Sequence, residues 1–194
     1  EALKAPNLKL TGLHFHLGSP IFELEPYALA LDVVLSFAAR FKEDGLNLQD
    51  LSPGGGFAIG YHLEGPPPPV SAYAQTIVRT LKRRCRDLRL GEPRLIIEPG
   101  RAIVGRAGVA VYSVGAIKDI PGVRKYVSLD GGMGDNIRPA LYGARYEAVV
   151  ANRMSDALEE RVTLAGKFCE SGDILIKDIL LPALEPGDMV AIPA

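Results

Sequence analysis

Residues 48–56 read Leu48-Gln49-Asp50-Leu51-Ser52-Pro53-Gly54-Gly55-Gly56. A short apolar stretch from Leu48 to Leu51 runs straight into a proline and three consecutive glycines. That is the pattern of a strand whose C-terminal end opens into a loop bare of side chains. The pattern recurs on both sides. Upstream, Leu8 to Leu17 alternates apolar and polar residues and ends at Gly18-Ser19-Pro20. Downstream, Arg94 to Glu98 closes at Pro99-Gly100. Helical patterns lie between the strands. Tyr27 to Asp44 carries Leu31, Val34, Leu35, Ala38 and Phe41 at helical spacing, with Pro26 at its first turn and Gly45 after its end. After the stiff run Pro66 to Pro69, Val70 to Leu88 places Ala74, Ile77, Val78 and Leu81 on one face. The strand exits near Gly18, Pro53 and Pro99 repeat every 35 to 45 residues or so, roughly the length of a βαβ unit in a parallel sheet. Glycine-bearing loops at the ends of three parallel strands share one rim. Both (β/α)₈ barrels and doubly wound sheets build their sites there.

The second half changes character. Gly108 to Lys118 reads as a long strand and Lys125 to Leu129 as another. Val162 to Lys167, Ile174 to Ile176 and Met189 to Ile192 read as short strands, and only Asp156 to Glu160 hints at a helix. The expected fold class is α/β plus all-β, with a boundary between residues 1–108 and a mostly antiparallel β-domain at 109–194.

The 194 residues carry 22 Lys+Arg against 23 Asp+Glu and are 47% hydrophobic. This is an ordinary globular composition with a sizeable core. A net charge of −1 argues against a nucleic-acid binder, which needs a basic face. The basic run Lys82-Arg83-Arg84 reads as a solvated helix face. Cys85 and Cys169 are too few for a disulfide scaffold, so a reducing, cytoplasmic setting is expected. No apolar run approaches the roughly 18 residues of a membrane span, and no membrane association is expected. The chain opens at Glu1 without a signal peptide or initiator Met and stops within strand-like sequence at Val190 to Ala194. Both ends read as cut, and a fragment of a longer protein is expected.

Four clusters could carry chemistry. His14 and His16 sit two apart on a strand and point to one face. They read as packed barrel histidines, as a metal-ligand pair, or as an aromatic platform for a flat cofactor. The metal reading is short of ligands, because His62 in a Pro-rich loop is the only other histidine. Ser19 could cap the following helix or hold a phosphate, and Gly54, Gly55 and Gly56 leave backbone amides open to an anion. Glu98-Pro99-Gly100-Arg101 ends the third strand. Glu98 either pairs with Arg101 or holds a proton on a ring nitrogen while Arg101 takes a carboxylate or phosphate as a fork. Cys169-Glu170-Ser171-Gly172-Asp173 sets a thiol in a polar turn, either an inert thiol or a candidate acid or nucleophile, whereas Cys85 in a charged helix reads as inert.

Five stretches together resemble the diaminopimelate decarboxylase family, among the pyridoxal-phosphate decarboxylases that join an alanine-racemase-like barrel to a β-domain. They are Gly12-Leu13-His14-Phe15-His16-Leu17-Gly18-Ser19, then Gly54-Gly55-Gly56, then Glu98-Pro99-Gly100-Arg101, then Asp130-Gly131-Gly132-Met133 with Ile137-Arg138-Pro139-Ala140-Leu141-Tyr142, and last Cys169-Glu170-Ser171-Gly172-Asp173. They run in the family's order from end to end of the chain. The resemblance implies that residues 1–108 are the C-terminal part of a pyridoxal-phosphate-binding (β/α)₈ barrel and 109–194 the first part of the β-domain. It implies pyridoxal 5'-phosphate as cofactor, no metal, and meso-2,6-diaminopimelate as a small-molecule substrate converted to L-lysine and CO2. It also implies a homodimer whose cysteine loop reaches the partner's barrel.

Residue by residue, it implies that His16 stacks on the cofactor ring. Ser19 and the amides of Gly54, Gly55 and Gly56 hold the phosphate, with the backbone at Gly100 and Arg101. Glu98 pairs with the pyridine nitrogen. Arg101, Arg138 and Tyr142 bind the distal carboxylate, Glu170 the distal ammonium, and Cys169 gives a proton to the carbon that has lost CO2. The chemistry is coherent, since loss of CO2 needs an electron sink and the product a proton donor. A distal carboxylate separates this substrate from ornithine, lysine and arginine, while carboxynorspermidine shares one. One departure stands out. The family's cofactor-bearing lysine, in a Tyr-x-x-Lys-Ala context, has no counterpart here, so a non-catalytic relative that binds a partner is the rival expectation.

Overall fold

The computed structural model describes residues 1–60 and 65–193. The chain divides into two compact units, one of Glu1–Gly60 with Pro66–Gly105 and one built on Arg106–Ala194.

In the first unit, β1 (Gly12–His14), β2 (Asp50–Ser52) and β3 (Arg94–Leu95) form a parallel sheet in the order β1-β2-β3. Helices α1 (Glu25–Arg40) and α2 (Val70–Asp87) make the crossovers, and a short α3 (Arg101–Val104) follows β3. The strands are shorter than the sequence patterns Leu8 to Leu17 and Arg94 to Glu98. Their ladder nevertheless runs on past the formal ends. Phe15 N–H donates to the Ser52 carbonyl, Ile96 N–H to that of Leu51, and Glu98 N–H to that of Gly54. The glycine loop is therefore sutured on both sides to the loops that carry the other candidate residues.

Helix α1 buries Tyr27, Leu31, Leu35 and Ala38. It ends four residues before Asp44, and the chain then turns at Gly45 with φ +96°. In α2 the buried stripe is Tyr73, Ile77, Thr80, Leu81 and Cys85. Ala74 and Val78 face outward instead of lining the expected face, because packing is led by the Tyr73 ring one position earlier. The expected solvated run is also corrected at Arg84. Its guanidinium pairs with Asp32 and donates to Ser36 Oγ at 2.9 Å, tying α2 to α1. Cys85 is buried, and that burial pushes its thiol up.

At the core, the rings of Tyr27, Phe57 and Tyr73 lie 4.8–5.7 Å apart. Tyr27 OH donates to the Gly55 carbonyl at 2.7 Å, and Tyr73 OH donates to that of Ile21 at 2.6 Å. Burial, with Tyr73 nearby, lifts the Tyr27 hydroxyl to about 12. Helix α1 thus holds the glycine loop through Tyr27, while Tyr73 of α2 ties Ile21 to Ala58, whose amide donates to its hydroxyl at 3.3 Å.

The second unit contains β4 (Val109–Ile120), β5 (Arg124–Leu129), α4 (Arg138–Tyr142), β6 (Val149–Val150), β7 (Glu160–Ala165), β8 (Ile174–Leu181) and β9 (Met189–Pro193). The sheet order is β6-β9-β4-β5-β7-β8. Every pair is antiparallel except β5 with β7. Strand β4 serves both halves. Val109–Ser113 pairs with β9, and the stretch from Val114 pairs with β5 across a bulge between Val114 and Ile117. The core gathers Val127, Val150, Val162, Leu164, Leu181 and Val190, each almost fully buried. The helix hinted at Asp156 to Glu160 does not form. Arg153 instead draws this stretch into a turn, donating to Asp156, Asp188 and the Ala183 carbonyl. Among the described residues no helix is long and apolar enough to cross a membrane.

Candidate functional site

On the first unit's rim the residues converge on Glu98. Its Oε1 lies 3.1 Å from His14 Nε2 and accepts a hydrogen bond from Ser52 Oγ at 2.9 Å. Ser52 Oγ in turn accepts from the Gly54 amide at 3.1 Å. The Gly55 amide points to His16 Nδ1 at 3.4 Å. The Ser52 hydroxyl, and then the charge and hydrogen bond of His14 and the charge of His16, hold the Glu98 carboxyl below its ordinary value against a smaller desolvation. The carboxylate is half-exposed and stands open to a ligand. Both histidines face the same side, as their spacing implies, although β1 ends at His14.

The three glycines owe their identity to close backbone approach. A Cβ at Gly55 would fall inside the Glu98 carbonyl, and one at Gly56 inside that of Gly18. A Cβ at Gly54 would press on His16 Nδ1 at 2.7 Å. Gly54 and Gly56 also sit at φ +72° and +89°, where L side chains are strained. Two of the three amides are engaged within the chain, those of Gly54 and Gly55. Ser19 is exposed beside Gly18. It does not cap the next helix, whose N-cap is Leu24 without a side-chain bond. Gly100 turns at φ +31°, and Arg101 opens α3. His62 lies outside the described residues, and among those described no group of His, Cys, Asp and Glu could hold a metal.

In the second unit two loops meet. The loop after β5 runs from Asp130 into α4, which presents Arg138 and an exposed Tyr142. The loop between β7 and β8 presents an exposed Cys169 with Glu170. Asp173 joins them. Its carboxylate is 3% exposed and accepts from the amides of Met133 at 2.6 Å and Phe168 at 2.7 Å. A Cβ at Gly172 would come within 3.9 Å of Ala140 in α4. Glu170 Oε1 takes Ser171 Oγ at 3.1 Å and the Gly172 amide at 3.3 Å. Arg138 Nη1 donates to Tyr146 OH at 2.7 Å, which steadies the guanidinium.

Of the residues singled out in sequence, His16, Gly54, Gly55, Gly56 and Glu98 come together in one unit, and Arg138, Tyr142, Cys169 and Glu170 in the other. Sequence reasoning missed Ser52, Asp173 and Tyr146 in these roles, and it left His14 without a partner. Ser52 abuts the Pro-Gly loop and Asp173 closes the cysteine cluster, so proximity to a recognised motif was the available signal.

Comparison with known proteins adds the family. Residues 1–105 match the profile described as "Pyridoxal-dependent decarboxylase, pyridoxal binding domain". The chain is 44% identical to diaminopimelate decarboxylase of Synechocystis sp. over 97% of its length, covering 40% of that protein. It is 46% identical to that of Staphylococcus aureus over 97% of its length, covering 44%. The crystal structure of diaminopimelate decarboxylase from M. jannaschii in co-complex with L-lysine superposes with a TM-score of 0.86 at 34% identity, over 99% of this chain and 43% of that one. The chain thus spans less than half the length of the relatives it matches.

Proposed function

The chain belongs to the pyridoxal-dependent decarboxylases, and from that premise we propose that it serves the decarboxylation of meso-2,6-diaminopimelate at its D-centre, giving L-lysine and CO2. The observation that carries this reading is in the second unit. The loop bearing Arg138 and Tyr142 is bound, through Asp173, to the loop bearing Cys169 and Glu170. One unit thereby carries a guanidinium and a carboxylate on two loops that Asp173 ties together, the two charges that a distal amino-acid centre requires.

The first unit fits pyridoxal 5'-phosphate by the chemistry of its groups. Glu98 is an ionised carboxylate suited to a ring N–H, His16 is a flat ring beside it, and Ser19 with the Gly56 and Gly100–Arg101 backbone lies by a cradle that side chains would fill. When bound, that cofactor supplies the electron sink that loss of CO2 from an amino acid demands. The protein's own groups do the rest. Glu98 keeps a proton on the ring nitrogen. Arg101, Arg138 and Tyr142 hold the distal carboxylate and Glu170 the distal ammonium. Cys169 delivers a proton to the α-carbon from which CO2 has departed.

The cysteine loop and the cofactor rim that it completes then belong to different copies of the chain in a homodimer, in the cytoplasm. The free thiols of Cys85 and Cys169 support a reducing compartment. Incubating the complete enzyme and pyridoxal phosphate with meso-diaminopimelate should release CO2 and accumulate L-lysine. Failure to do so with cofactor bound would reject the assignment.

A further inference from the structure

The two contacts to Glu98 fall on the same oxygen. Ser52 Oγ and His14 Nε2 both reach Oε1, and among the described residues nothing is bonded to Oε2. The polarity of the chain of bonds is forced. The Gly54 amide can only donate, so Ser52 Oγ accepts there and directs its single proton to Glu98. His14 Nε2 lies 3.1 Å from the same oxygen, within reach as a second donor when it carries a proton there. The result is one continuous path from the glycine loop, through Ser52, to the carboxylate.

We propose that Ser52 and His14 are positioning residues that act through Glu98, saturating Oε1 so that Oε2 is aimed at the ring nitrogen of the cofactor. The inference rests on the cofactor reading above and adds to it. Glu98 is half-exposed, and a half-exposed carboxylate left to itself samples several rotamers. The Ser52 hydrogen bond, with the His14 ring 3.1 Å from the same oxygen, selects a single orientation before the ligand arrives. Ser52 also couples the two ends of the ligand site, because the glycine loop that faces the phosphate carries the amide that orients it. The depressed titration of Glu98, whose largest cause is Ser52, agrees with this arrangement.

The test is a double-mutant cycle read as the dissociation constant of pyridoxal 5'-phosphate from the complete enzyme, followed by absorbance. Ser52→Ala should weaken cofactor binding roughly fivefold to tenfold in the otherwise unaltered enzyme. In a Glu98→Ala background the same change should alter it by less than about twofold, since the group it acts through is gone. His14→Ala provides the same cycle from an exposed position, where truncation leaves the fold intact, should Ser52→Ala fail to fold. Non-additivity in either cycle supports the inference. Equal factors in both backgrounds overturn it while leaving the functional reading standing. An unaltered enzyme that does not bind pyridoxal phosphate overturns the functional reading itself, and the inference with it.

Discussion

Cys169 stands exposed at the tip of a loop that Asp173 closes from within, and its neighbour Glu170 spends one oxygen on the local turn. On the proposed reading this thiol supplies a proton to the product carbon and is not among the groups proposed to hold the cofactor. Cys169→Ala is therefore expected to lower kcat about 100-fold or more, the usual worth of general acid catalysis, with the cofactor's dissociation constant unchanged. Near-normal turnover would return Cys169 to an inert role. Glu98 carries a pH prediction. Its carboxyl is held low chiefly by the Ser52 hydroxyl, so its charge persists at neutral pH and is lost only as pH falls through that depressed value. Ser52→Ala should move the acid limb of cofactor binding to higher pH, and titrating binding against pH in both proteins checks the direction. At this scale the sequence put forward Glu98, His16 and Cys169, because each sits in a dense motif, and the structure sets Glu98 and His16 on one rim. The sequence did not disclose Ser52 or Tyr146. A hydroxyl is chemically versatile, and its role is set by a partner 46 residues away for Ser52.

Among the elements, the glycine loop depends most on its surroundings. It is stitched to the extensions of β1 and β3 and pinned from below by Tyr27. Tyr27→Phe leaves the buried Gly55 carbonyl without its donor and should cost about 1–3 kcal/mol in urea unfolding. Gly55→Ala drives a methyl into the Glu98 carbonyl, a backbone clash that no rotamer relieves, and should cost about 3 kcal/mol or prevent folding. Equal stability of either variant would contradict the packing described. The long elements were legible because periodicity accumulates over many residues, as in α1, α2 and β4. The short ones, α3, α4 and β6, hold five residues or fewer and leave no periodic trace. The parallel pairing of β5 with β7 is decided by a crossover through α4 and β6 and has no local signature. The buried face of α2 was read correctly at Ile77 and Leu81 and missed at Ala74 and Val78, since the stripe is centred on Tyr73 and Thr80 instead.

At the scale of the whole molecule, the second unit rests on Asp188, 7% exposed, which gathers Arg153, Asn152 and the Glu185 amide. The Arg153 guanidinium first, with Asn152 and that amide, holds its carboxyl at about 2. The stabilisation is present above the ordinary carboxylate range and is lost as pH falls toward that value, on the order of 2 kcal/mol. Melting temperature against pH should therefore fall more steeply below pH ~5 in the unaltered protein than in Asp188→Asn, and parallel curves would contradict this. The two-part organisation itself was readable from the change of pattern near residue 108, whereas the pairing of one chain's cysteine loop with another's cofactor rim rests on family resemblance. The central claim is that the second unit reads a distal amino-acid centre. The most direct test is kcat/KM of the complete enzyme for meso-diaminopimelate, ornithine and lysine, with and without Arg138→Ala. The account predicts a strong preference for diaminopimelate that Arg138→Ala narrows by roughly tenfold or more, the worth of a bidentate arginine contact. Equal or better activity of the unaltered enzyme on ornithine would contradict it.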